Sequence, residues 1–235
     1  MTTFLEIILS TGEIKPFPVS AGDESKLIAL DRFAVTQHLD PSADARSTVG
    51  LWSAVGFAAL DPFLSAARDG WDAALVDAVL YAESISLTEA LTDITKIAVR
   101  RPRPIDYINC ASTGAATTGA CSSTDLDLSF FSGHAATVGA ITATATYLAF
   151  VRSPHTARPW VTLGVGTLLT AFVGYERVRS GEHFPTDVMA GATAGGLIGV
   201  LVPHLHRREG DRPPVWIGLR TERGGASLTL QGDFF

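Results

Sequence analysis

Three short segments of this chain concentrate side chains able to do chemistry. Lys96, Arg100, Arg101 and Arg103 crowd together ahead of Pro104, Ser132-Gly133-His134 open a charge-free stretch, and Arg177, His183 and Asp187 stand in the pattern R-x5-H-x3-D. Each alone has an ordinary reading. Cations suit a helix C-terminus, a serine caps a helix start, and an imidazole one turn from a carboxylate is common on any helix. Taken together, two histidines, two arginines and a lysine are what phosphoryl transfer needs: cations for the spread oxygen charge, an in-line nucleophile, and an acid for the leaving oxygen. Gly133 would let a ligand approach the backbone, and the free amides of a helix start attract an anion. Pro185 suits a first helical turn, which puts His183 beside a helix start and Asp187 within reach of an imidazole nitrogen. Such a set requires no metal, and no cofactor is expected.

In order and spacing the three segments resemble the signature of the type-2 phosphatidic acid phosphatase superfamily, which includes vanadium haloperoxidases and bacterial acid phosphatases: K-x6-R-P, then P-S-G-H, then S-R-x5-H-x3-D. The resemblance covers Lys96 to Asp187. It implies that Lys96, Arg103 and Arg177 hold the phosphate oxygens, with Ser132 and the amide of Gly133 completing the cradle. It further implies that His183 attacks phosphorus to give a phosphohistidine, that Asp187 orients it, and that His134 protonates the leaving group and later activates water. Vanadate is then expected as an inhibitor that mimics the transition state. Two positions depart from the signature: Phe131 stands where it has proline, and Glu176 where it has serine. Glu176 would repel phosphate if it pointed inward, so it is expected to turn away or to pair with Arg177 or Arg179.

The elements that must position these residues read as an all-α helical bundle over residues 23–208. An arm precedes it over 1–22, and a tail follows over 209–235 whose alternation around Gly224-Gly225 fits a short β-hairpin. One helix is expected from Ser47 to about Ala67, interrupted at Asp61-Pro62. Another runs from Asp72 to Lys96 with Asp72, Glu83, Glu89 and Asp93 on one face, which calls for water, cations or an active site. Ala135–Val151, Pro159–Tyr175 and Val188–Pro203 carry no charge. Their length is the lower limit for crossing a bilayer and equally suits buried helices of a soluble bundle.

Hydrophobic residues make up 46% of the 235 positions and charged residues 18%, which leaves both readings open. Flanking charge favours the membrane, because Arg152, His155 and Arg158 share one connection and His204, His206, Arg207 and Arg208 follow the last stretch. That places the site on the external face of a bacterial-type inner membrane, with Trp52, Trp71 and Trp160 at the interfaces. Cys110 and Cys121 would share that face, where a disulfide could form. No signal peptide is read at the N-terminus, since Phe4–Leu9 is short and lacks a basic start. The net charge of −6 argues against nucleic acid as a partner.

The leading expectation is therefore a phosphatase acting on a lipid-linked phosphate or diphosphate. The alternatives are a soluble periplasmic acid phosphatase of broad specificity, a vanadium-dependent haloperoxidase, for which the chain is short, and a non-catalytic binder of lipid phosphate. The oligomeric state is not legible.

Overall fold

The computed structural model describes residue 19 and residues 22–110 and 123–207, together with the backbone of 215–222 and 225–232. Among the described residues, seven α-helices follow a short 3-10 turn: α1 (Ala29–Thr36), α2 (Ala43–Asp69), α3 (Trp71–Val99), α4 (Pro104–Asn109), α5 (Gly133–Arg152), α6 (Arg158–Arg179) and α7 (Pro185–Leu205). Two strands, β1 (Val215–Glu222) and β2 (Gly225–Gly232), pair antiparallel, with Leu219 opposite Leu228.

α5 is the axis of the bundle. Val138, Ile141, Ala145 and Leu148 on it pack with Leu51 and Ala58 of α2, Leu80 and Tyr81 of α3, Val173 of α6 and Val202 of α7. Its closest neighbour is α7, and glycines make that approach possible. Gly191, Gly195 and Gly199 recur every four residues on one face of α7. A Cβ on Gly191 would stand 2.5 Å from the Ser132 carbonyl, and one on Gly195 or Gly199 would overlap the carbonyls of Ala136 or Ala140. Backbone thus lies against backbone from the first turn of each helix onward.

Helix ends are set locally. Ser132 caps α5, its hydroxyl accepting the amide of Ala135. Pro104 and Pro185 occupy first-turn positions of α4 and α7. α3 ends where Arg100 adopts φ 50°, a left-handed conformation uncommon for a residue with a side chain, and the chain turns there toward Arg101 and Arg103.

The expected interruption at Asp61-Pro62 does not occur: α2 runs through it, with both residues buried. Packing outweighs the missing amide. Asp61 accepts hydrogen bonds from Tyr81 and Arg158, each at 2.9 Å, and Asp77 on α3 accepts from Arg152 at 2.7 Å and Ser65 at 2.6 Å. These buried pairs close one end of the bundle. The acidic face of α3 divides: Asp93 is buried, Glu89 accepts the hydroxyl of Thr137, and Glu83 reaches His206 at 3.5 Å.

Among the described residues, three helices, α2, α5 and α7, are long and apolar enough to cross a membrane. Two of them, α5 and α7, contain charge-free runs read from the sequence. Trp52, Leu60, Leu75, Trp160, Leu168 and Leu197 are among many large apolar side chains exposed on the outside of α2, α3, α6 and α7. An apolar surface of that extent marks a membrane protein.

Candidate functional site

At the end of the bundle opposite the Asp61 and Asp77 pairs, five elements converge. α3 delivers Lys96 from its last turn, the α3–α4 link delivers Arg103, α5 begins at Ser132, α6 delivers Arg177 from its last turn, and the α6–α7 loop carries His183 into the first turn of α7.

His183 is buried, and its Nδ1 lies 2.7 Å from the carbonyl oxygen of Ser129. A carbonyl only accepts, so Nδ1 carries the proton and Nε2 keeps its lone pair. Burial, and after it the charges of Arg177, Arg103 and Lys96, hold the imidazole well below its ordinary pKa. A neutral, fixed imidazole in the field of three cations is the chemical centre of the arrangement.

Asp187 was expected beside an imidazole nitrogen. It is instead linked to His183 through Ser129, whose hydroxyl donates to Asp187 Oδ2 at 2.5 Å while its carbonyl accepts from the imidazole. The same Oδ2 accepts the amide of Phe184 at 2.9 Å and so caps α7. Oδ1 takes Arg101 Nη1, and Arg101 also reaches Asp31 at 2.7 Å and stacks on the Phe184 ring at 4.0 Å. Asp31, from α1, in turn accepts the amide and hydroxyl of Thr186. Arg101 thus braces Asp187 and Asp31 beneath His183.

Arg103 and Arg177 are both buried and share one partner, Glu182, whose Oε2 pairs with Arg103 Nη1 and lies 3.2 Å from Arg177 Nη2. Arg103 also holds Asp125 at 2.9 Å, and Arg177 pairs with Asp44. The Nε donors of both arginines are buried without a hydrogen-bond partner among the described residues, a costly condition that an anion's oxygens would relieve. His134 lies on the first turn of α5, with Nε2 3.4 Å from the hydroxyl of Thr48 on α2. The charges acting on it are those of Arg177, Asp44, Lys96 and Arg103, so it shares the cluster. Ser132 is buried, and its amide donates to the Asp187 carbonyl at 3.1 Å, pinning the starts of α5 and α7 together beside Gly133.

Glu176 does turn away, but its partner is Arg46 of α2, at 2.7 and 3.0 Å, rather than Arg177 or Arg179. Arg179 instead lies 3.7 Å from Asp40, and Arg100 3.9 Å from Asp127. Phe131 is buried against the α5–α7 contact, so it shapes the turn and does not face outward. Cys110 is buried and disulfide-bonded, while Cys121 lies outside the described residues.

All the residues expected from the three segments therefore gather at one end. Ser129, Asp31, Thr48 and Glu182 complete the site without having announced themselves, since each is an ordinary polar or acidic residue whose role depends on what it meets.

The model of the PAP2 superfamily matches residues 77–211. No curated protein matches the chain. Among solved structures, the chain is similar to a transmembrane PAP2 type phosphatidylglycerolphosphate phosphatase from Bacillus subtilis, with 20% identity and a TM-score of 0.53 over 88% of this chain and 95% of that one. At that identity the likeness is one of fold.

Proposed function

The chain belongs to the PAP2 superfamily, and from that premise we propose that it is a metal-independent phosphatase that hydrolyses a lipid-linked phosphate or diphosphate through a phosphohistidine on His183. The observation that carries the proposal is the imidazole itself, neutral and fixed through Nδ1 to Ser129 in the field of Lys96, Arg103 and Arg177.

Nε2 of His183 attacks phosphorus in line, forming the N–P bond as the bond to the leaving oxygen breaks. Lys96, Arg103 and Arg177 take the charge on the equatorial oxygens, with the Ser132 hydroxyl and the Gly133 amide alongside. His134 gives a proton to the leaving oxygen, then removes one from the water that attacks the phosphohistidine. Breakage of the N–P bond returns free imidazole and inorganic phosphate. The chain's own cations supply the charge stabilisation that a metal ion provides elsewhere. Orthovanadate would bind in the same cradle as a mimic of the five-coordinate transition state.

A lipid substrate follows from the surroundings. The site lies at one end of a bundle whose flanks are apolar, so a headgroup reaches the cradle while its tails stay in the bilayer. Arg152, Arg158 and Arg207 at the opposite end support a reading in which that end faces the cytoplasm and the site faces outward.

A phosphate-release screen across lipid monophosphates, prenyl diphosphates and soluble esters, with His183→Ala alongside, tests substrate and nucleophile together. Acid-labile phosphate should be trapped on the wild-type chain and be absent from His183→Ala. A label that persists in the variant overturns the nucleophile assignment, and preference for soluble esters over lipids overturns the substrate class.

A further inference from the structure

Glu182 immediately precedes the proposed nucleophile, and its carboxylate lies within the site. One oxygen, Oε2, pairs with Arg103 Nη1 and lies 3.2 Å from Arg177 Nη2, so a single atom bridges the two guanidinium groups. The other carboxylates on these arginines differ in kind. Asp44 and Asp125 keep 57% and 54% of their side chains exposed, against 22% for Glu182. Exposed pairs are screened and contribute little, whereas a carboxylate held between two buried arginines competes strongly with any other anion.

We propose that Glu182 is an internal competitor for the phosphoryl position: its carboxylate bridges Arg103 and Arg177 where a phosphate oxygen would, and every anionic ligand must displace it to enter. This rests on the phosphatase reading of the site. The geometry supports it in two ways. A guanidinium pair bridged by a monoanion is the arrangement a phosphoryl oxygen would make with the same nitrogens. A phosphoryl group also brings further oxygens, able to take up the buried Nε donors of Arg103 and Arg177 that Glu182 leaves unpaired.

The consequences concern which ligands occupy the site and how they leave. Displacing Glu182 lowers the affinity of all anions by a common factor. A monoanion, with the weakest attraction to the cations, then falls below useful occupancy, while a dianionic terminal phosphate remains above it. Inorganic phosphate, once formed, is expelled as Glu182 returns.

The test uses the full chain in detergent micelles, with inorganic phosphate as a dianionic probe and dimethyl phosphate as a monoanionic one, both titrated by calorimetry. Glu182→Gln keeps the shape and removes the charge. It should tighten both probes in parallel, on the order of tenfold each, lower KM for 4-nitrophenyl phosphate, and leave the ratio of the two affinities unchanged. Glu182→Asp keeps the charge but is too short to bridge both arginines, so it should fall between, and it serves as the test if the Gln variant does not fold. Weaker or unchanged phosphate binding in both variants, with hydrolysis retained by the wild type, would make Glu182 a brace for the arginines and sink this inference alone. Absence of both phosphate binding and hydrolysis from the wild-type chain removes the phosphatase reading and this inference with it.

Discussion

The carbonyl of Ser129 accepts the Nδ1 proton of His183 at 2.7 Å, while the hydroxyl of the same serine donates to Asp187 at 2.5 Å. The carboxylate therefore acts on the imidazole at one remove, by fixing the residue that fixes the ring.

Asp187→Asn should lower kcat/KM by roughly tenfold to a hundredfold, the usual range for a group that orients a ligand from behind. Ser129→Ala keeps the carbonyl and loses the hydroxyl, so its loss should be smaller. Because the two act in one chain, the double variant should fall little below Asp187→Asn. Fully additive losses in a kinetic double-mutant cycle would show that the two side chains act independently.

The pH dependence follows from two groups shifted in opposite senses. His183 sits below its ordinary pKa through burial and neighbouring cations. The unfolded chain binds a proton here below about pH 6.5 that the folded chain refuses. Stability from this site is present above that value and is lost as pH falls, and kcat/KM should show no imidazole ionisation near pH 6.5. Asp106 is raised to about 6 by burial and by Asp127. The folded chain then binds the extra proton between about pH 4 and 6, and stability falls as pH rises through that window. Asp106→Asn should raise Tm at pH 7 and not at pH 4, as read by thermal melts in detergent.

Neighbouring glycines of α7 should respond oppositely to alanine. At Gly195 a Cβ overlaps the Ala136 carbonyl, whereas at Gly196 it meets nothing within 4 Å. Gly195→Ala should cost about 1–3 kcal/mol by overpacking and reduce activity, because α5 and α7 both start at the site. Gly196→Ala should be neutral or stabilising by about 0.4–1 kcal/mol, through helix propensity and a less disordered unfolded chain. Equal Tm values for the two variants would contradict this packing.

Arg101→Met should leave Asp31 and Asp187 facing each other without compensation. Removing one partner of a buried ion pair costs about 3–5 kcal/mol, so the variant should melt well below wild type. If Arg101 acted as a surface cation, Tm would move by less than about 1 kcal/mol equivalent.

Much of the chemistry was legible from residue types and spacing alone. Lys96, Arg103, Ser132, His134, Arg177, His183 and Asp187 stand out because their types suit phosphoryl transfer and their order and spacing resemble the superfamily signature, and folding brings them to one end of the bundle. The bundle itself was legible for a related reason: long apolar runs broken by proline and charge are helices whatever packs against them. Where local rules misled, packing had overridden them. Pro62 looked like a break, yet burial keeps α2 continuous. Glu176 turns away from the site as expected, and only the fold shows that Arg46, 130 positions away in the chain, holds it.

What only the tertiary structure decided is which polar groups meet. Whether the imidazole contacts Asp187 or Ser129, whether Arg101 braces or binds, and whether Glu182 faces solvent or bridges two arginines depend on distances of a few ångströms between elements remote in sequence. A hydrogen bond or ion pair is a property of two atoms in space. The sequence determined that two imidazoles, a set of cations and a helix start are available for one site, and the fold decided how His183 is held and which carboxylates meet Arg103 and Arg177.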